Sequence, residues 1–227
     1  MRWILAIAMT VLPALVCAQE APALKTEKDK LSYAMGMDLG AQLKSVGVEL
    51  DAAVFAEGLR AGLAGTKTAL TPDEAKALIT ELQKSLATKQ AAAARVAGEK
   101  NRTDGDAFLA ANKTKPGVVT LPSGLQYKIL TTGTGKMPTA TDTVVCHYRG
   151  TLIDGKEFDS SYKSGQPATF PVNKVIKGWT EVLQLMPVGS KWQVFIPSSL
   201  AYAERGAGAD IGPNATLIFE IELVAIK

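Results

Sequence analysis

Histidine occurs once, at His147, and cysteine twice, at Cys17 and Cys146, in a chain of 227 residues. Three such side chains cannot assemble the usual tetrahedral Cys/His sets, so a structural zinc is excluded and chemistry without a metal or other cofactor is expected. Excess charge is scarce as well: 25 Lys and Arg stand against 22 Asp and Glu, a net +3, with the lysines evenly spread. A nucleic-acid surface needs a concentrated basic face, so no nucleic-acid partner is expected. Ser198 and Ser199 lack a G-x-S-x-G setting, Cys146 lacks a papain-like one, and Gly133-Thr134-Gly135-Lys136 lacks the spacing of a phosphate loop. Hydrolase readings are therefore weak, and 133–136 reads as a turn.

What is present begins with a targeting segment. Residues 1–18, MRWILAIAMTVLPALVCA, place one Arg ahead of an apolar run and end on small residues. That pattern is a secretory signal peptide cut after Ala18. The apolar run falls short of the ~20 residues a membrane span needs, so the mature chain is expected to have none. An uncleaved anchor and a lipid-modified Cys17 are the alternatives, although Ala14-Leu15-Val16 fits a bacterial lipobox poorly. Cleavage leaves Cys146 as the single thiol, and no internal disulfide can form. The expected location is outside the cytoplasm: periplasmic, on the outer membrane or secreted.

Two unlike halves follow, joined at Lys115-Pro116-Gly117. Before that point the chain is rich in Ala, Leu, Lys and Glu; after it, Val, Ile, Thr, Gly and Pro dominate. The expected division is 19–70 helical, 71–115 a long helix, and 116–227 a sheet domain. Leu31, Met35, Leu39, Leu43 and Val46 form one helical stripe, and Asp51 caps a second helix bearing Val54, Phe55, Leu59 and Leu63. Thr71-Pro72-Asp73-Glu74 is a capping box opening a third helix that runs to about Asn112. Such a helix is ~60 Å long. Between Ala87 and Ala107 only Val96 is apolar and larger than Ala, so this stretch reads as an exposed arm, weakened and able to bend at Gly98 and Gly105. Three apolar-striped helices in residues 25–86 make a marginal core. A homodimer through 25–86 would complete it, with Gly36 and Gly40 allowing close approach; a self-contained bundle is the other reading.

In the second half, 124–130, 142–152, 168–172, 191–197 and 215–226 read as five antiparallel strands, with one short helix opening near Trp179. One short helix on a bent sheet is an α+β domain with room for a hollow between them. Tyr148, Phe158, Phe170, Trp179, Tyr202 and Phe219 can line it or simply fill a core; the residue pattern leaves both open. Strand parity buries Cys146 with Tyr148 and turns His147 away from it, which argues against His147 as a general base.

The runs VVCHYRGTLIDGKEFD (144–159), Val175-Ile176-Lys177-Gly178-Trp179, Ala201-Tyr202 and IGPNATLIF (211–219) resemble the FKBP-type peptidyl-prolyl cis-trans isomerases over essentially all of 118–227. DKLSYAMGMDLG and LTPDEAKALI resemble the dimerising helical domain of the macrophage infectivity potentiator group. The resemblance implies a five-stranded antiparallel half-barrel wrapped around a short helix, preceded by an all-α dimerisation domain and a long connecting helix. It implies a proline pocket floored by Trp179 and walled by Tyr148, Phe158 and Phe219. Ile176 N–H and the Tyr202 hydroxyl would bind substrate carbonyls, Asp159 would sit beside the twisting amide, and Val175, Phe170, Ala168 and Ile211 would complete the contacts. Small human members carry Phe, Arg and Gly where Ala168, Ser164 and Ala203 stand here. The implied partners are proline-containing polypeptides and macrolides of the tacrolimus and rapamycin type. The leading expectation is an isomerase assisting the folding of exported or unfolded proteins. A client-binding chaperone module and a structural envelope protein are the competing classes.

Overall fold

The computed structural model describes residues 23–227, so the expected leader lies outside the described residues. The chain divides into two compact units, one up to Ala75 and one from Lys76.

In the first unit Thr26 caps α1 (Glu27–Ser45). Its hydroxyl accepts the Asp29 N–H at 3.1 Å, while the Asp29 carboxylate accepts the Thr26 N–H at 2.9 Å. The Asp51 carboxylate accepts the Ala53 and Val54 N–H groups at 2.8 and 3.0 Å and starts α2 (Ala52–Ala64). Each cap satisfies backbone donors that the first helical turn leaves without partners. No described residue of this unit is buried. Leu31 and Met35 on α1 are 63% and 65% exposed, and Leu63 on α2 is 82% exposed.

The reciprocal Thr71–Glu74 box, at 2.8 and 3.3 Å, starts α3 (Pro72–Asn112), whose 41 residues match the length read from the sequence. Its last turns do not behave as an exposed arm. Gly98 and Gly105 are buried against the 213–216 segment of the second unit, and a Cβ on Gly105 would lie 2.3 Å from the Thr216 hydroxyl. These glycines are therefore sites of close approach rather than bends. Composition favours the solvated reading because Gly lowers helix propensity in any setting, whereas its packing partner is a hundred residues away.

The second unit is built on β1 (Val118–Thr120), β2 (Gln126–Thr131), β3 (Thr143–Leu152), β4 (Glu157–Ser160), β5 (Ala168–Pro171), β6 (Lys191–Ile196) and β7 (Leu217–Ile226), all pairing antiparallel. The order is β1-β2-β6-β7-β3-β4, with β5 on the same edge of β3 as β4 but further toward its start. All five expected strands are present. The two further ones, β1 and β4, hold three and four residues and owe their extended form to the neighbours they pair with rather than to alternation.

Leu217, Phe219, Ile221 and Leu223 alternate inward along β7, and the register sets Phe219, Ile221 and Leu223 opposite Gly150, Tyr148 and Cys146. On this face lies α4 (Lys177–Leu183), whose Trp179, Val182 and Leu183 join the same buried cluster. Helix and sheet approach closely because residue 178 is Gly: a Cβ there would sit 2.5 Å from Ile196 Cγ2.

Ala203 has a φ of 49°, in the left-handed region that a Cβ disfavours by roughly 1 to 2 kcal/mol. Ala203→Gly is expected to stabilise the fold by about 0.5 to 1 kcal/mol after the extra chain entropy of Gly is deducted. Thermal unfolding reads this as a rise in Tm of about 2 °C, and a fall would show that the alanine is not strained.

Candidate active site

Between α4 and the concave face of the sheet lies a cavity of about 700 Å³. Trp179 is 4% exposed and forms its base. The rings of Tyr148, Phe170 and Phe219 stand at 5.4, 5.5 and 5.3 Å from it, each within 12° of perpendicular. Phe158 meets Phe219 edge-on at 5.5 Å. Edge-to-face contacts align positive ring edges with negative ring faces, and a set of them fixes each ring's direction.

Each wall has a backbone reason. Tyr148 and Gly150 share one face of β3, Phe219 faces Gly150 across the ladder, and Phe158 comes from the neighbouring β4. A Cβ on Gly150 would lie 2.6 Å from Phe158 ring carbons and 2.8 Å from Phe219 Cε1. Glycine at 150 thus makes room for two of the walls, a requirement that the sequence reading missed.

Two of the polar side chains at the cavity are committed to each other. The Tyr148 hydroxyl donates to Asp159 Oδ2 at 2.6 Å, and Asp159 Oδ1 accepts the Ser160 N–H at 2.8 Å. The carboxylate is held at the cavity edge with both oxygens engaged. Burial, then the bond to Asp159, pushes the Tyr148 hydroxyl well above the usual phenol range, so it remains a protonated donor. The Ile176 N–H and the Tyr202 hydroxyl engage no acceptor among the described residues, and both residues line the cavity.

Ten of the eleven residues expected at the site line this cavity: Tyr148, Phe158, Asp159, Phe170, Val175, Ile176, Trp179, Tyr202, Ile211 and Phe219. Ala168 does not. It pairs with Cys146 on β5, on the same strand face as Phe170, and its methyl is too short to reach where the Phe170 ring does. Lys174, Ala201, Arg205, Ala207, Gly208 and Asp210 also line the cavity. Most belong to an irregular 201–211 segment with no periodicity to mark it. Its conformation is closed by an Ala207–Ile211 bridge and by Lys156 Nζ donating to Asp210 Oδ1 at 2.7 Å.

His147 turns to the other face of β3, where it stacks on Tyr162 at 4.9 Å and shares a 3.1 Å hydrogen bond with Ser161 Oγ. Cys146 is buried in the core, which pushes its thiol up to about 12. Neither presents a nucleophile or base to the cavity. Among the described residues no group of three or more His, Cys, Asp or Glu is placed to hold a metal ion. The arrangement can take an apolar ring of a ligand and direct two hydrogen-bond donors at it.

Residues 134–224 match the family model of the FKBP-type peptidyl-prolyl cis-trans isomerase, and residues 28–129 match that of the domain amino-terminal to it. The outer membrane protein MIP of Legionella longbeachae is 51% identical over 93% of this chain and 91% of its own. The peptidyl-prolyl cis-trans isomerase Mip of Coxiella burnetii is 44% identical over 92% of this chain and 91% of its own. The crystal structure of FkpA from Escherichia coli superposes with a TM-score of 0.67 at 33% identity, covering 90% of this chain and 99% of that one. The chain therefore belongs to the FKBP-type peptidyl-prolyl cis-trans isomerases, the enzymes that interconvert the two forms of the peptide bond preceding proline.

Proposed function

We propose that the cavity binds the proline of an exported or unfolded polypeptide with its pyrrolidine ring against Trp179 and catalyses rotation without any covalent step. Tyr148, Phe158, Phe170 and Phe219 wall the ring, Val175 and Ile211 complete the apolar contacts, Ile176 N–H and the Tyr202 hydroxyl take substrate carbonyls, and Asp159 lies beside the turning amide. The observation that carries this reading is the set of perpendicular aromatic rings over a buried indole, with two uncommitted donors at its edge.

The chemistry needs no more than that. Rotation about the amide faces ~18 to 20 kcal/mol because the planar form is resonance-stabilised. Water solvates the separated charge of the planar form, and twisting removes that charge separation. A dry aromatic cleft therefore favours the twisted amide relative to water, and fixed donors hold the flanking chain in the geometry that twisting requires. Each ~1.4 kcal/mol of such preference yields a tenfold rate gain, so a thousandfold to millionfold acceleration asks for about 4 to 8 kcal/mol. An isomerase assay on a proline tetrapeptide tests the assignment. Tyr202→Phe, which removes one hydrogen bond, is expected to lower kcat/KM about tenfold, and Asp159→Leu by at least as much. Full activity in both would remove these residues from the site. A macrolide of the tacrolimus type is expected to compete with the peptide. The reading as a client-binding module with incidental turnover is not favoured, since curated relatives carry the isomerase name.

The helical half is assigned to self-association. In the division into 19–70, 71–115 and 116–227, the first segment carries apolar stripes that are exposed among the described residues, and a Cβ on Gly36 or Gly40 would meet no described atom within 4 Å. A second copy of the chain, packed through residues 25–86, supplies the missing core. Light scattering on the mature chain is expected to give twice the protomer mass, and Leu31→Glu with Leu39→Glu to return it to one. A monomer mass for the unaltered chain at micromolar concentration would end this assignment.

The leader-like residues 1–18 and the outer-membrane name of the Legionella longbeachae relative support export. No described helix is long and apolar enough to cross a membrane. The mass of the mature N-terminus tests cleavage after Ala18 and lipidation of Cys17 together.

A further inference from the structure

The later part of α3 is fastened to the 213–214 segment, which also bonds Ala203, the residue after Tyr202. Asn101 Nδ2 donates to the Pro213 carbonyl at 2.9 Å, and Asn214 Nδ2 donates to the Gly98 carbonyl at 3.4 Å. The same Asn214 uses its backbone N–H to hold the Ala203 carbonyl at 2.8 Å. Both ends of that last bond sit in the left-handed region, Ala203 at a φ of 49° and Asn214 at 55°. Asn tolerates this conformation, whereas Ala adopts it only where its surroundings compel it. Ala203 is the chain neighbour of Tyr202, whose side chain lines the cavity.

The contact is built rather than incidental. Any side chain at 98 or 105 would press on Pro213, Asn214 or Thr216, and a Cβ on Gly212 would lie 3.0 Å from Asn101 Nδ2. A second clasp lies further along α3. Asn112, 1% exposed, donates to Gln126 Oε1 at 3.0 Å, and Gln126 Nε2 donates to the Leu109 carbonyl at 2.9 Å. Buried amide side chains satisfied in this way fix one arrangement, because any other leaves them unpaired.

We infer that Asn101 and Asn214 are positioning residues for the isomerase site: through them α3 holds Ala203 in its strained conformation and so aims the Tyr202 hydroxyl into the cavity. This rests on the assignment of Tyr202 as a substrate donor. The helix is then part of the working site, and its fastening enters the rate through the precision of one hydrogen bond rather than through the proline ring contacts.

A double-mutant cycle on the full mature chain separates this from a general structural role. Asn101→Ala and Asn214→Gly are each expected to lower kcat/KM about fivefold, with the fall in kcat rather than a rise in KM. Asn214→Gly keeps the left-handed backbone and its bond to Ala203, so it isolates the link to α3. In a Tyr202→Phe background, where there is no hydroxyl left to aim, the same changes are expected to cost less than twofold. Arg102→Ala, on the solvated face of α3, is the unaffected control. Fivefold losses that persist in the Tyr202→Phe background, or full activity in both asparagine variants, would overturn the inference. If Tyr202→Phe itself were fully active, the assignment of Tyr202 would fail instead. Should Asn101→Ala fail to fold, Asn214→Gly carries the cycle alone.

Discussion

Replacing Trp179 with alanine is expected to lower kcat/KM about a hundredfold to a thousandfold, a loss of about 3 to 4 kcal/mol of transition-state stabilisation. The indole is 4% exposed, and three other rings stand nearly perpendicular to it. Removing it lets those rings tilt and lets water reach the place where the amide twists, which restores the solvation that favours the planar form. The same substitution empties part of the core and should cost roughly 3 to 5 kcal/mol of stability, so activity must be compared below the variant's own unfolding transition. Trp179→Phe keeps an apolar floor of smaller area and should lose about tenfold. If the alanine variant, shown folded by near-UV circular dichroism, turned over prolyl peptides at the normal rate, the floor would have no part in catalysis.

Gly150→Ala is the second large effect, and it separates activity from stability. The added methyl would lie 2.6 Å from Phe158 ring carbons and 2.8 Å from Phe219, so both rings must move. Phe158 is only half-buried and can swing outward, which limits the stability cost to about 1 to 3 kcal/mol. A displaced wall leaves the proline ring loosely held, and kcat/KM is expected to fall about thirtyfold to a hundredfold. The tetrapeptide assay beside a urea unfolding curve reads both quantities. A large stability loss with normal activity in the folded fraction would reverse the expectation.

The difference in legibility between parts of this fold has physical causes. α2 and α3 could be read because caps are local: Asp51 with the next turn and Thr71 with Glu74 each act within three residues, while α1 could be read from its apolar stripe and its Thr26 cap was not noticed. The long strands β3 and β7 could be read because one buried face imposes period-two alternation. β1 and β4 could not, because strands of three and four residues gain their form from partners elsewhere in the chain. Most cavity walls were visible as aromatic residues, and the family resemblance supplied their grouping. The roles of Gly150, Gly98 and Gly105 were not visible. A glycine that permits close approach and one that merely loosens a helix look alike until the atom that would strike its Cβ is known. The pocket-lining Arg205 and Asp210 escaped for a related reason, since an irregular segment carries no period and is shaped by the Lys156 bridge and by its contacts with Asn214.

The measurement that tests the non-covalent account most directly is the solvent isotope effect on kcat/KM, taken by a protease-free method in H2O and in D2O. Rotation driven by desolvation and fixed donors moves no proton in its rate-limiting step, so a ratio of about 1 is predicted. A ratio of about 2 or more would mean that a proton is transferred as the amide turns, and would contradict the account.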